Sequence, residues 1–199
     1  MTRRWVIAVL ALVAVAAVPS RAVTASSQHP HLDPVLLTEA LAARDRREGE
    51  ISNGRYVSII DYRRPSHEPR YFLVDTKTDT IEAFLVAHGR GSDPDHDGMA
   101  TKFSNTPQSK MSSLGSFITG APYHGRHGLS LRLHGLDQQN DKAFDRAIVI
   151  HGADYVNKSR GTLGRTWGCP ALEQEVNRRV IPLIKGGSFL YVVGQEPPS

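Results

Sequence analysis

The chain contains a single cysteine, Cys169, which follows the histidine His151 by eighteen residues. Cys169 lies in the glycine-flanked run 164–170, and His151 ends an apolar stretch that covers residues 147–150. An imidazole that accepts the thiol proton allows the sulfur to attack a carbonyl carbon and form a covalent acyl intermediate. A lone thiol outside the cytoplasm has no internal disulfide partner, so its presence favours a reactive role over a small buried side chain. The pair therefore predicts nucleophilic catalysis.

The first 25 residues predict export. Arg3 and Arg4 form a positive segment, residues 5–18 are apolar, and residues 20–22 or 23–25 offer small side chains for signal peptidase. The apolar run is shorter than the roughly 20 residues that a membrane span needs. We expect a signal peptide over residues 1–25, with an uncleaved anchor as the alternative. Either arrangement places the remainder in the periplasm or the extracellular cell envelope, with membrane contact only through the signal peptide.

The charge balance argues against nucleic acid as a partner. The first 25 residues contain three arginines and no acid, which leaves 21 basic and 20 acidic residues in the mature chain. Nucleic-acid binding needs a concentrated basic face, whereas the sequence has only short basic clusters at 44–47 and 63–64. We interpret these clusters as solvated surface.

Without the signal, about 174 of the 199 residues are left, which is enough for one domain with a sizeable core. Residues 26–51 predict a linker followed by an amphipathic helix, which begins at Asp33 and Pro34 and continues to about Arg47. The apolar face of this helix is expected to comprise Val35, Leu36, Ala40, Leu41 and Ala43. Residues 52–194 form the main domain, and residues 195–199 form a tail.

Short β-branched and aromatic runs bounded by turn residues predict a mostly β fold of the sandwich or barrel type. The expected strands are 56–61, 71–75, 80–87, 116–119, 129–133, 146–151 and 188–193, with a turn at 76–79 between the second and third. One further helix is expected over 171–184, where Leu172, Val176 and Val180 recur every four residues. His151 then lies at the end of a buried strand, and Cys169 lies in a loop that leads into a helix.

This placement suits an activated thiol, because a neighbouring imidazole and a helix N-terminus each favour the thiolate. We expect the backbone N–H groups of Gly168 and Cys169 to bind the oxyanion of a tetrahedral intermediate. The Gly152 carbonyl, or another acceptor, is expected to fix the tautomer of His151.

Two stretches carry the most specific pattern, His151-Gly152-Ala153-Asp154-Tyr155 and Gly164-Arg165-Thr166-Trp167-Gly168-Cys169-Pro170-Ala171. Together with residues 86–92, 102–105, 112–115 and 128–133, they resemble the YkuD-type L,D-transpeptidases, and specifically the branch called murein L,D-transpeptidase catalytic domain proteins. The resemblance covers about Ser52 to Gly194. The spacing between His151 and Cys169 is its most specific element.

The resemblance implies a mostly β, sandwich-like or barrel-like L,D-transpeptidase catalytic fold with an N-terminal helix and a short helix after the cysteine. It implies that Cys169 attacks the carbonyl of the L-configured diamino acid in a peptidoglycan stem peptide, at the bond to the following D-alanine. An amine of a second stem, or water, then captures the acyl group. His151 would act as base and acid, Gly152 would orient it, and Gly168 with Cys169 would donate to the oxyanion. The family also implies acylation by carbapenems.

Candidate substrate contacts lie within or near these motifs, namely Arg165, Thr166, Trp167, His88 and Arg132. Trp167 occupies the position, two residues before the cysteine, where many family members carry a second histidine. We interpret it as a substrate-stacking wall or a buried packing residue. An arginine such as Arg132 suits a stem-peptide carboxylate, and loop structure or strand surface is the alternative for both His88 and Arg132.

No metal or cofactor is expected. Residues 93–98 match the opening of a calcium loop, but the twelfth position is Ser104, where a bidentate glutamate is needed. His124, His127 and His134 lack the spacing of a zinc site that includes Cys169.

Three function classes are consistent with these patterns: an L,D-transpeptidase, a cysteine hydrolase on the same scaffold, and a non-catalytic wall-binding module. A papain-like protease is disfavoured, because its cysteine precedes its histidine in the chain and the order here is reversed.

Overall fold

The N-terminal helix begins at the cap that the sequence predicts. In this computed structural model, which describes residues 32–195, helix α1 spans Pro34–Asp45, and the Asp33 carboxylate accepts a hydrogen bond from the Val35 N–H at 2.9 Å. The aspartate satisfies one of the free N–H groups of the first turn. The buried face consists of Leu36, Leu37, Ala40 and Ala43. Val35 was expected on this face, but its side chain is 64% exposed, because it lies on the side of Leu36 away from Leu37, about 140° around the helix from Ala40.

The predicted signal peptide at 1–25, the linker up to residue 31 and the tail after Gln195 lie outside the described residues. A 3₁₀ turn at Glu48–Glu50 follows α1. None of the helices within residues 32–195 has the length and apolar character needed to cross a bilayer.

Nine strands within the described residues form one sheet. They are β1 (Tyr56–Asp61), β2 (Tyr71–Asp75), β3 (Thr80–Phe84), β4 (Val86–Ala87), β5 (Gly115–Gly125), β6 (Gly128–Gly135), β7 (Val149–Gly152), β8 (Ala171–Leu172) and β9 (Phe189–Val193). Their spatial order is β3-β2-β1-β9-β5-β6-β7-β8-β4. Neighbouring strands are antiparallel, except that β1 with β9 and β7 with β8 are parallel. β1 and β2 have the predicted bounds, and the predicted turn at 76–79 joins β2 to β3 in a hairpin.

The two edge strands of the sheet are neighbours in the chain. Only Leu85 separates β3 from β4, so the sheet curls until its edges nearly meet, which confirms the mostly β, barrel-like prediction. The expected strand 80–87 is therefore two strands on opposite edges. Arg70 spans the junction: its N–H donates to Phe84 O at 2.9 Å, and its Nε and Nη2 donate to Val86 O at 3.0 and 2.9 Å. These hydrogen bonds connect the edges in place of a strand ladder.

The segment after the cysteine differs from its prediction. The expected helix 171–184 begins only at Gln174: α2 spans Gln174–Ile184, and Ala171–Leu172 form β8. β8 pairs with β7 on one side and β4 on the other, and both of its residues are fully buried, so sheet pairing decides the conformation of this apolar segment. The α2 N-terminus lies five residues beyond Cys169, which removes the expected contribution of a helix end to the thiolate.

Three clusters of buried apolar residues hold the sheet in place within residues 32–195, and the smallest contains Ala87 of β4 and Ala171 of β8. The two larger clusters lie on opposite faces of β1. One contains Ile60, Ile150 and the α2 residue Val180, and the other lies beneath α1 and contains Ile59. Because side chains alternate along a strand, the consecutive residues Ile59 and Ile60 of β1 face different cores. β7, which carries His151, is thus fixed from the side of α2 by packed apolar residues.

Candidate active site

Parallel pairing of β7 with β8 brings the histidine and the cysteine to neighbouring segments. His151 is aligned with Ala171, and its N–H donates to Pro170 O at 3.3 Å. Cys169 therefore lies beside the β7 residues that precede His151. The Cys169 Sγ is 3.7 Å from Ala147 O, to which it donates a weak hydrogen bond.

The thiol of Cys169 is half-buried and protonated at neutral pH. Burial raises the pKa of Cys169, and this effect outweighs the opposing contributions of the Val149 N–H and the nearby Arg146 guanidinium. The resting site thus holds a neutral thiol, which differs from the expected thiolate. A neutral thiol requires a base at the moment of attack.

His151 is held in the tautomer of a base. Its side chain is buried, and its Nδ1 lies 3.0 Å from Gly152 O. A carbonyl oxygen can only accept, so Nδ1 carries the proton and Nε2 has the free lone pair. Burial lowers the pKa of His151, the hydrogen bond to Gly152 raises it, and the charge of His127 lowers it further. The imidazole is therefore neutral and able to accept a proton at neutral pH.

The Thr166 side chain shapes the cysteine loop. Thr166 is 5% exposed; its Oγ1 accepts the Gly168 N–H at 3.0 Å and donates to Cys169 O at 2.7 Å. The Gly168 N–H was expected to bind an oxyanion, but it already donates a hydrogen bond to Thr166 Oγ1. Thr166 itself was expected to contact substrate, and its burial does not fit that role. The Cys169 N–H has no hydrogen-bond partner within residues 32–195, so it is the candidate oxyanion donor.

Gly168 is required by backbone geometry. Its φ is +120°, and a Cβ at this position would lie 2.7 Å from Met111 O. Gly89 packs on the same loop, because a Cβ there would lie 2.8 Å from the Gly168 Cα. A larger residue at either position would displace the backbone that presents Cys169.

Arg146 is a site residue that the sequence patterns did not reveal. Its guanidinium holds the loop 104–113 through four neutral acceptors: Ser104 O at 2.7 Å, Ser113 Oγ at 2.6 Å, Met111 O at 2.7 Å and Ser109 Oγ at 3.3 Å. No carboxylate within residues 32–195 pairs with it. Its charge therefore acts on Cys169, whose thiolate form it stabilises. An arginine within the segment that leads to the base was the available signal, but the expected strand 146–151 begins only at Val149, since Ala147 has a φ of +56°.

His88 is a structural histidine rather than a substrate contact. The residue is 1% exposed, its Nδ1 accepts a hydrogen bond from Arg70 Nη2 at 2.6 Å, and its Nε2 donates to Asp93 Oδ2 at 3.1 Å. Burial and the Arg70 charge lower the pKa of His88 to about 4. The backbone carbonyl of His88 accepts the Thr166 N–H at 2.8 Å, so His88 supports the cysteine loop from the interior of the domain.

The acidic turn at 93–98 is folded inward. The Asp93 carboxylate accepts the N–H groups of Asp97 and Gly98, each at 3.1 Å, in addition to His88. Asp93, the first ligand of the calcium-loop pattern, is thus already engaged. Arg165 donates to the carbonyls of Asp93 and Pro94, which ties the turn to the cysteine loop, and its predicted contact with substrate stays a prediction.

Trp167 and Arg132 are the expected substrate contacts that the structure leaves accessible. Trp167 is 70% exposed, which excludes the buried alternative, and Lys110 Nζ lies 5.2 Å from the centre of its ring. The Arg132 guanidinium lies between two aromatic rings, 4.6 Å from Tyr123 and 5.5 Å from Phe144. Arg132 is aligned with Val149 of β7, two residues from His151, so it lies within one diagonal step of the base.

Comparison with known proteins gives one family match and several structural likenesses. Residues 28–193 match the family model described as L,D-transpeptidase catalytic domain. No curated protein matches the chain.

Similar solved structures include an L,D-transpeptidase from Mycobacterium smegmatis, which is 11% identical over 70% of this chain and 59% of that chain with a TM-score of 0.46. L,D-transpeptidase 3 from Mycobacterium tuberculosis is 11% identical over 70% of this chain and 61% of that chain, with a TM-score of 0.47. The LD transpeptidase LdtMt1 in complex with imipenem is 12% identical over 70% of this chain and 59% of that chain, with a TM-score of 0.44. The chain thus spans about three-fifths of the length of these structures.

Proposed function

This chain belongs to the L,D-transpeptidase catalytic domain family, and we propose that it is an exported cysteine acyltransferase that acts on peptidoglycan stem peptides. In this proposal Cys169 takes the acyl group of an L-configured diamino acid and transfers it to an amine. Hydrolysis of the same intermediate by water is the alternative.

One observation carries the proposal. A neutral imidazole, fixed by Gly152 O with its Nε2 lone pair free, lies on the strand beside the segment that carries the only thiol of the chain. A buried histidine with a purely structural role would engage both ring nitrogens. A free imidazole nitrogen on the strand that pairs with the cysteine segment supports general-base activation of that thiol.

The reaction follows from these two groups. Cys169 Sγ attacks the carbonyl carbon, its proton passes to His151 Nε2, and the Cys169 N–H stabilises the oxyanion that forms. The C–N bond to D-alanine then breaks, and the leaving nitrogen takes the proton from His151. In the second half, an amine attacks the thioester, its proton passes through His151 to the sulfur, and Cys169 is regenerated as a thiol.

Two accessible side chains support binding of a stem peptide. The exposed Trp167 ring, two residues before Cys169 in the chain, offers an apolar surface, and the Arg132 fork has no carboxylate partner within residues 32–195. A guanidinium held between two rings is pre-organised for a carboxylate, because little side-chain freedom is lost when the ligand binds.

The test is product analysis of purified muropeptides by mass spectrometry after incubation with the protein that lacks residues 1–25. Cross-linked dimers and exchange of the terminal D-amino acid are the expected products. Shortened monomers would favour the hydrolase, and unchanged substrate would overturn both. The matched control is Cys169→Ala, which should leave the substrate unchanged in every case.

Export is part of the proposal and has its own test. The charged, then apolar, N-terminal pattern is the support for it. Intact mass of the protein recovered from the cell envelope should correspond to cleavage within residues 20–25, and a full-length protein in the cytoplasmic fraction would contradict export.

A further inference from the structure

The hairpin formed by β5 and β6 extends over the base of the proposed reaction. Gly125 pairs with Gly128, which leaves Arg126 and His127 as a two-residue turn. The His127 ring stacks on the His151 ring, with 4.4 Å between ring centres and 26° between planes. A residue at the tip of an exposed hairpin thus contacts the buried histidine of another strand.

The core does not require this contact. His127 is exposed, and no hydrogen bond or ion pair within residues 32–195 holds it. The two rings are close to parallel, so their nitrogens do not face each other and no proton passes directly between them. The stack covers one face of the His151 imidazole and limits the rotation of this ring.

We infer that His127 is a positioning residue for His151, which keeps the imidazole in the orientation that donates Nδ1–H to Gly152 O and leaves Nε2 free. This inference rests on the proposed function, because it assigns His127 a part in the proton transfer that His151 performs. Two contacts hold the His151 ring in this orientation. One is the hydrogen bond to Gly152 O on its own strand, and the other is the stack with the His127 ring of the hairpin.

The charge of His127 gives the stack a second consequence. A positive charge on the His127 ring, whose centre lies 4.4 Å from the centre of the His151 ring, lowers the pKa of His151. Among the other groups around the base, the Gly152 carbonyl lies on its own strand and Arg132 lies one diagonal step away on β6. Cys169 precedes β8, and Arg146 lies near the thiol. Asp154 is held by Gln174 Nε2 at 3.0 Å.

Two substitutions separate the ring from the charge. His127→Phe keeps a planar ring and removes the charge, whereas His127→Ala removes both. His124→Ala, an exposed histidine on the same hairpin, is the matched control. The measurement is the rate constant for acylation of Cys169 by a carbapenem as a function of pH, with the melting temperature as a check that each variant is folded.

His127→Ala should slow acylation about tenfold at pH 8, the scale expected when a base loses its orientation. His127→Phe should keep most of the rate at pH 8, but its acidic limb should move to higher pH, because His151 no longer faces a cation. His124→Ala should match wild type. A His127→Ala variant with the wild-type rate and pH profile, or a His127→Phe variant as slow as the alanine variant, would overturn the inference. Absence of acylation in wild type would instead overturn the proposed function.

Discussion

Two histidines in this domain are similarly buried but differ in their hydrogen bonds and in their proposed roles. His88 is 1% exposed and His151 is 3% exposed, and burial lowers the pKa of both. His88 uses both ring nitrogens, one with Arg70 and one with Asp93, whereas His151 uses only Nδ1. A histidine with both nitrogens engaged cannot accept a proton without losing a partner. The lone pair on Nε2, and not burial or the direction of the pKa shift, distinguishes His151, the proposed base, from the structural histidine His88.

The same contrast holds for the arginines beside them. Arg70 is fully buried and donates hydrogen bonds to His88 Nδ1 and to Val86 O of the edge strand β4. Arg146 is half-buried, bonds only to neutral acceptors, and directs its charge toward Cys169. Arg70 is connected to the carboxylate of Asp93 through His88, whereas Arg146 has no carboxylate partner within residues 32–195.

Among the substitutions that test this difference, one at His151 is expected to have the largest effect on the acylation rate. His151→Gln should slow acylation by about 10²-fold or more, because the variant has no proton acceptor at Nε2. In wild type, kcat/KM should rise with pH through an apparent pKa below about 6.5, since burial keeps the imidazole neutral below its ordinary range. That apparent value belongs to the coupled His151 and Cys169 pair. A flat profile from about pH 5 to 9, with an unchanged rate in the variant, would contradict the assignment.

The second expected effect is on stability, at His88. The folded state keeps His88 neutral down to about pH 4, whereas an unfolded imidazole binds its proton near pH 6.5. The unfolded state therefore binds more protons in this window, and the free energy of unfolding should fall as the pH drops from about 6.5 to about 4.

His88→Gln should lower the stability at pH 7 by about 2–4 kcal/mol, because Asp93 and Arg70 lose a shared partner, and it should flatten the pH dependence. Urea titrations at pH 7, 5.5 and 4 measure both. The loss of kcat/KM should be far smaller than in His151→Gln. A stable variant with an inactive site would reverse the roles of the two histidines.

A smaller effect is expected at Arg146. Arg146→Met removes the cation beside the thiol, so the pKa of Cys169 should rise further and alkylation by iodoacetamide at pH 8 should slow about five- to tenfold. Arg146→Lys keeps the charge but not the fork, and should recover part of the rate. Arg178→Met, an exposed arginine on α2, is the control. Equal rates in the methionine and lysine variants would assign the effect to loss of the 104–113 loop contacts instead of to the charge.

The smallest effect is expected at Trp167, whose ring contacts substrate without moving a proton. Trp167→Ala should raise KM for a stem peptide by up to about tenfold with little change in kcat, while Trp167→Phe should retain most of the affinity. A fall in kcat equal to that of His151→Gln would show that the ring acts in the chemical step.

The sequence predicted the parts of this site that depend on local patterns. Alternation and turn residues gave the bounds of β1 and β2, and the distance from His151 to Cys169 placed a thiol beside a strand. The segment 171–172 was assigned to a helix because two apolar residues fit either period, and only its pairing with β4 and β7 decides the matter.

One missed feature is local: the Gly168 N–H was expected to be free, but the side chain of Thr166, two residues earlier, accepts it. Another missed feature depends on tertiary contacts. The outer half of β5, from Gly120 to Gly125, has few strand-forming residues and contains an irregularity after Thr119. The expected strands therefore ended at 119 and began again at 129, and the contact of His127 with His151 was not predicted.

Intact-protein mass spectrometry after incubation with a carbapenem tests most directly whether Cys169 is the nucleophile. The strained ring carbonyl of the drug should acylate folded wild type once per chain, and Cys169→Ala, which lacks the only thiol, should form no adduct. Cys169→Ser should react at most at a trace rate. No adduct on folded wild type, or the same adduct on Cys169→Ala, would contradict the account.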